Sequence, residues 1–264
     1  MPVHCRLSLA KLSTGDFRDL DYRVMRHAYD SQNELGRLAD ERICQADLAA
    51  RLQSDGISVS REIEVDLSHR DYRKSLFLDL VVAKQAVYEL KVVKALTDAH
   101  VGQLLTYLHL LDLPRGKLIN YRPKKVESQF VNAPLDSEMR RSFCVKDIAF
   151  DGDSGFRDAI VTLLRDWGTS LTLSLYQEAV VFLLGGKALV EVMLPIHRSD
   201  ALIGRQRFYL AAPDTAFKLT AMNRDTSSYQ SQLARLIQYS PLRAIHWINI
   251  AHHEVTFITI PHSQ

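Results

Sequence analysis

Apolar and polar positions alternate through "ISVSREIEVDL" (57–67), the period of a strand with one covered face. Apolar residues then run almost unbroken through 76–83 and 86–93, which predicts a hairpin buried on both faces. Upstream, residues 16–55 carry a helical period. Leu38, Glu41, Gln45, Leu48 and Leu52 recur at spacings of three and four, and Asp55-Gly56 supplies the stop. Downstream, Thr97 and Asp98 precede a helix through "HVGQLLTYLHLLDL" (100–113), which Pro114 and Gly116 end. Strands are expected at "KLINYR" (117–122) and "ESQFV" (127–131).

The same order recurs in the second half: a helix over 166–186, a strand over 188–196, a hairpin over 207–222, a helix over 229–240 and a strand over 244–250. A displacement of 129 residues brings Leu90 onto Leu219, Gln103-Leu104 onto Gln232-Leu233, and Ile119-Asn120 onto Ile248-Asn249. Few identities coincide, but the element order agrees with them, which favours an internal duplication. Turn residues and charge within 133–158 mark the boundary, giving domains 1–140 and 150–264. The expected class is α/β, with two similar lobes that are each a small mixed sheet flanked by helices.

The hairpin also carries charge. Glu89 and Lys91 share one face of their strand, while Tyr88, Leu90 and Val92 occupy the other. A two-residue turn at Lys84-Gln85 would pair Asp79 with Leu90 and turn the aspartate to the wrong side. A three-residue loop or a bulge returns it to the side of Glu89, and neither Lys84 nor Gln85 favours the positive φ of a tight turn. With that loop Asp79, Glu89 and Lys91 converge, and Glu41 approaches from the helix. Carboxylates gathered in apolar surroundings require a cation or protonation, and hard oxygen ligands suit magnesium or manganese. The competing reading is a half-exposed hairpin with ordinary surface charges.

Composition narrows the setting. The 264 residues carry a net charge of +2, compatible with a polyanionic partner without requiring one. Three scattered cysteines argue against a disulfide framework or structural zinc site and favour a reducing cytoplasm. No export signal or stretch long enough to span a membrane is evident. Lys94, together with Arg122, Lys124 and Lys125 of "YRPKK", are candidate phosphate contacts, as are Arg70, Arg73 and Lys74. Tyr121 could stack on a base but reads better as core. His100 reads as a cap or core residue, and His252 and His253 as surface residues on a strand.

The blocks "NELGRLADERIC", "FLDLVV", "YELKVV", "HVGQLLTYL" and "GKLINY", in that order, resemble the GxxExxY family of the PD-(D/E)XK nuclease-like superfamily over roughly residues 16–131. The resemblance implies a restriction-endonuclease-like core and metal-dependent hydrolysis of nucleic acid, with DNA as the expected substrate and Mg2+ or Mn2+ as cofactor. In that pattern Glu41 is the helix glutamate, Asp79 the metal-binding aspartate, and Glu89 and Lys91 the E-x-K pair. Gln103 and Tyr107 match the Q-x-x-x-Y of the following helix. The implied metal ligands are Asp79, Glu89, the Leu90 carbonyl and Glu41. Lys91 would activate or position water, Gln103 would orient the lysine or a phosphate, and Tyr107 would touch nucleic acid. The family's name-giving glycine and tyrosine are here Leu38 and Cys44, both read as packing positions.

In the second half Asp79, Glu89 and Lys91 fall on Phe208, Lys218 and Thr220, and Glu41, at a displacement of 132, on Leu173. The second lobe is therefore expected to be a degenerate copy serving as scaffold, pseudo-dimer partner or substrate platform. The alternative for the whole chain is a catalytically inactive nuclease-like protein that binds nucleic acid or another protein.

Overall fold

The protein, described by a computed structural model over residues 2–262, divides into two compact units, Met1–Ser137 and Glu138–Gln264. The first contains β1 (Val3–Cys5), α1 (Thr14–Leu35), α2 (Glu41–Ser54), β2 (Val59–His69), β3 (Tyr72–Val82), β4 (Ala86–Lys91), α3 (Asp98–Leu110), β5 (Arg115–Asn120) and β6 (Glu127–Asn132). A short helix α4 (Ser137–Arg141) follows at the boundary. The six strands form one sheet in the order β1-β2-β3-β4-β5-β6. Only β4 and β5 are parallel, because α3 carries the chain back between them.

Both faces of this sheet are covered. Phe17, Val24, Leu48 and Leu52 of α1 and α2 pack on Leu80, Tyr88, Leu90 and Ile119. Leu104 and Leu108 of α3 pack on Leu78, Val81, Val87 and Leu118. Double coverage explains the near-continuous apolar run through the hairpin. Every residue of β4 is buried, charged ones included.

The helical stretch expected at 16–55 is two helices. Gly36, at φ +74°, ends α1, and a conformation that side chains resist leads the chain into a short connection. Leu38 lies in that connection and is 73% exposed, so it does not belong to the leucine stripe and is not a packing position. Cys44 is one, at 1% exposure.

The second unit contains β7 (Cys144–Ile148), α5 (Ser154–Trp167), α6 (Leu173–Leu183), α7 (Lys187–Val190), β8 (Glu191–Arg198), β9 (Ala201–Ala212), β10 (Thr215–Thr220), α8 (Thr226–Ile237), β11 (Ala244–Ile250) and β12 (Glu254–Pro261). Its sheet runs β7-β12-β11-β10-β9-β8. From β8 to β12 the pairings have the same sense as those from β2 to β6, with one parallel pair, β10–β11, bridged by α8. The edges differ: β1 is antiparallel to β2, whereas β7 is parallel to β12.

Register repeats with topology. Leu90 lies opposite Ile119, and Leu219 opposite Ile248, each 129 residues on. Leu80 opposite Tyr88 likewise becomes Tyr209 opposite Phe217. A side-chain clamp recurs as well. Asn120 accepts from the Val93 amide at 3.0 Å and donates to the Val93 carbonyl at 2.9 Å. Asn249 makes the same two bonds to Met222, at 2.8 and 2.9 Å.

Three expectations for the second half need correction. Residues 154–158, read as boundary turn, are the first part of α5, which runs on to Trp167. Asp153 accepts from the Phe156 amide as N-cap, and Phe156, Ile160, Leu163, Leu164 and Trp167 bury one face. The helix expected from 166 starts only at Leu173, because Gly168 at φ +79° ends α5. His252 and His253 sit in the bend between β11 and β12 rather than on a strand, and both are exposed. Among the described residues no helix is long and apolar enough to cross a membrane.

The clamps tie a loop to the strand beside it, so each should carry measurable stability. Asn120→Ala and Asn249→Ala should each lower the unfolding free energy by about 1–3 kcal/mol, the cost of stranding buried backbone groups. Urea denaturation reads this, and a change under about 0.5 kcal/mol would show the clamp to be dispensable.

Candidate active site

Residues Ala83–Lys84–Gln85 join β3 to β4, and Val82 pairs with Ala86. The loop is thus the three-residue one that the position of Asp79 requires. Ala83 and Lys84 both adopt positive φ, 54° and 57°, so Lys84 takes a conformation its side chain disfavours, whereas Gln85 does not. The Ala83 amide is bonded to the Ser58 carbonyl and Gln85 to Val82, contacts that hold the conformation in place.

Asp79 sits at an irregularity in β3. The register with β2 passes from Leu78↔Ile63 to Leu80↔Arg61, leaving Asp79 and Glu62 unpaired, with Glu62 at φ 49°. Leu78 and Leu80 consequently pack on opposite faces of the sheet. Asp79 is freed to turn towards β4, where one carboxylate oxygen accepts from the Leu90 amide at 2.7 Å. Its backbone carbonyl accepts from the Gln45 side chain of α2 at 3.1 Å. Gln45 was legible only as a polar residue on the leucine stripe.

Glu89 is fully buried and Lys91 is 8% exposed. Lys91 Nζ lies 2.8 Å from Glu89 Oε1 and 4.0 Å from Glu41 Oε1. The other Glu89 oxygen has no hydrogen-bond partner. Glu41 opens α2 and stands at the rim, its side chain 42% exposed.

Electrostatics marks the cluster as incomplete. Burial, and then the Asp79 charge, pushes the Glu89 carboxyl well above the usual range in spite of Lys91. Burial raises Asp79 too, helped by Glu41 and Glu62 and opposed by the Leu90 amide and Lys91. For Lys91 burial works against the charge, but Glu89, Asp79 and Glu41 outweigh it and its pKa rises. Three carboxylates against one ammonium leave two negative charges when all four groups are ionised.

That deficit, with an orphaned buried carboxylate oxygen, fits a divalent cation held by Asp79 and Glu89. Among the described residues, however, no three Asp, Glu, His or Cys side chains group closely enough to hold one ion. Lys91 lies between Glu89 and Glu41, so Glu41 stands beside the lysine rather than forming a three-carboxylate ligand set.

The α3 residues meet the cluster from the other side. Gln103 donates to the Tyr107 hydroxyl at 3.2 Å. Burial, with the charges of Glu89 and Asp79, raises the Tyr107 pKa, which places that hydroxyl in the field of the cluster. His100 accepts from the Thr97 amide at 3.0 Å and caps α3.

Lys94, Arg122, Lys124 and Lys125 are exposed in the loops that follow β4 and β5. Those loops run side by side: the Asn120 clamp grips Val93, and the Tyr121 amide is bonded to the Lys91 carbonyl. Gln32 of α1 fixes the second loop through the carbonyls of Tyr121 and Pro123. Tyr121 is core, 1% exposed. Arg70, Arg73 and Lys74 lie at the β2–β3 turn, and even Lys74 is five residues from Asp79, roughly 17 Å along an extended strand.

A cavity of about 580 Å3 lies on the α1 side, lined by Phe17, Asp21, Tyr22, Arg115 and Phe130, and includes none of the cluster. The buried Lys117–Asp21 pair beside it, at 2.6 Å, joins residues 96 apart in sequence and gave no sequence signal.

Residues 18–132 match the family described as the PD-(D/E)XK nuclease superfamily. The match covers less than half of the chain and suggests nuclease-type phosphodiester hydrolysis as the chemistry of the first unit. One solved structure, described as "Crystal structure of SSO0001", shares 20% identity over 50% of this chain and 71% of that chain, with a TM-score of 0.31. Agreement that loose supports no statement about fold or activity. No curated protein matches the chain.

Asp79 and Glu89 bind protons more tightly folded than unfolded. In chelator each therefore costs stability as pH rises above the ordinary carboxylate range. Glu89→Gln should raise thermal stability in EDTA at pH 8, by about 1–3 kcal/mol, and the gain should shrink towards pH 5. A substitution that destabilises equally at both pH values would overturn this account of the cluster.

Proposed function

We propose that the first unit is a magnesium- or manganese-dependent phosphodiesterase acting on nucleic acid, with DNA as the substrate. The observation that carries this reading is the fully buried Glu89, with an unpartnered oxygen, set between Asp79 and Lys91. The order of sequence blocks, which resembles the GxxExxY family, supports it.

Asp79, Glu89 and the Leu90 carbonyl would hold the ion, with Glu41 reaching it through water. The ion would supply a polarised phosphoryl oxygen and a more acidic bound water. Lys91 does the chain's own part. Held at 2.8 Å by Glu89 in a nearly dry site, its ammonium orients water or donates to a phosphate oxygen. Gln103 is held by Tyr107 and positions that phosphate from α3, where Tyr107 also meets the strand. Lys94, Arg122, Lys124 and Lys125 give the backbone a positive track without base specificity.

The second unit lacks all four charged positions. It is read as a degenerate duplicate of the first, supported by the shared pairing order, the 129-residue register and the repeated asparagine clamp. Three free cysteines fit a cytoplasmic setting. A second reading rests on the position of Lys91 between Glu89 and Glu41, which a purely structural ion-pair network would also produce. It makes the chain an inactive binding module.

Cleavage of single- and double-stranded DNA and RNA with magnesium or manganese separates the two. Asp79→Asn, Glu89→Gln and Lys91→Ala should each reduce cutting by about a hundredfold or more. Magnesium should also stabilise the unaltered chain, and not Asp79→Asn, by about 2.7 kcal/mol at a hundredfold excess over Kd, read as a rise in melting temperature. A chain that neither cuts nor gains stability with magnesium is the inactive module.

A further inference from the structure

The second unit has a cavity of about 310 Å3 between its sheet and α8. Its lining includes Phe208, Lys218, Gln232 and Leu236. At the displacement of 129 residues these are the counterparts of Asp79, Glu89, Gln103 and Tyr107. Where the first unit has its acidic cluster, the second has an opening with different walls.

The charge there is inverted. Lys218 stands in the place of Glu89, is exposed, and has no carboxylate within ion-pair distance among the described residues. Arg207 at the rim is neutralised by Glu191 at 3.1 Å. Thr220, in the place of Lys91, is used internally. It accepts from Trp247 Nε1 at 2.7 Å and donates to Asn249 at 2.8 Å. The remaining wall is aromatic: Phe208 and Phe217 are buried and Tyr229, packed on Trp247 at 5.3 Å, lines the cavity with them. Gln232 adds an exposed amide. Small-ligand sites run from roughly 300 to 1,000 Å3, so this one takes a single small group.

An unneutralised cation, flat apolar walls and one amide together suit a ligand with an anionic end and a planar heterocycle. We propose that this cavity binds one nucleotide unit, its phosphate at Lys218 and its base against Phe208 and Tyr229. The inference rests on the reading of the protein as one that acts on nucleic acid, and it gives the second unit the task of gripping a strand that the first cuts. The base would stack, as in proteins that hold single strands, and Gln232 would bond to its edge.

The test uses the full chain with Glu89→Gln, in EDTA so that nothing is cut. A fluorescent single-stranded DNA oligonucleotide and, separately, dAMP are titrated at several salt concentrations. Lys218→Glu should weaken oligonucleotide binding about tenfold and lower the salt slope by about one, with Lys218→Arg restoring it. Tyr229→Ala should weaken it several-fold. Lys187→Glu, an exposed charge change in the same unit, should alter it less than twofold. A Lys218-dependent response to dAMP as well would assign the cavity to nucleotides free or in a strand, and a response to the oligonucleotide alone to a strand. Equal losses from Lys218→Glu and Lys187→Glu, or no binding of either probe, would overturn the proposal. If Lys218 proves silent while Lys91→Ala abolishes cleavage, the cavity assignment falls and the nuclease stands. If Lys218-dependent binding persists in a chain that never cuts, the reverse holds.

Discussion

A carboxylate with no access to water and one oxygen without a partner is the constraint around which the first unit is arranged. Glu89 is fully buried in the most enclosed strand of the sheet. An isolated charge in such a place neutralises itself by taking a proton. Lys91 offsets part of that tendency and Asp79 strengthens it, so the pair of acids retains proton affinity that a divalent cation would replace. The irregularity in β3, the positive-φ loop and the Gln45 bond to the Asp79 carbonyl all bring the aspartate to this point. Glu62, opposite Asp79, and Ala83 and Lys84 in the loop beyond it all adopt positive φ.

The frame beneath the cluster is independent of it. Both units build one parallel strand pair bridged by a helix, in the same register and closed by an asparagine that grips the loop beside it. In the second unit this frame stands without any of the acids. Phe208 and Leu173 fill space with apolar atoms, and Thr220 satisfies an indole and an amide. The shared topology therefore does not depend on the four charged positions.

Much of this was legible in sequence because period and punctuation are local. The strand period at 57–67, the apolar hairpin, the leucine stripe of α2 and the stop at Pro114 follow from side-chain spacing, which any fold must respect. Asp79, Glu89 and Lys91 could be grouped from strand alternation and loop length alone. The placement of Tyr121 in the core and of His100 as a cap also followed from local pattern. The α5 helix did not, because Asp153, Gly155 and the charges around them resemble a turn until Phe156 and Trp167 are seen to share a face. Leu38 was misplaced because a glycine at positive φ ended α1 before the stripe began.

What the tertiary structure alone decided is distance between parts remote in sequence. It set Lys91 between Glu89 and Glu41 instead of letting three carboxylates meet, and it brought Gln45 to Asp79. It left Arg73 and Lys74 at the far end of β3 while laying Lys94 and Arg122 in neighbouring loops. It also opened a cavity where Lys218 and Phe208 replace the acids. Spacing along a chain fixes which face a side chain takes. Only packing across the sheet fixes what that face meets, because contacts between remote segments depend on how every intervening element is stacked.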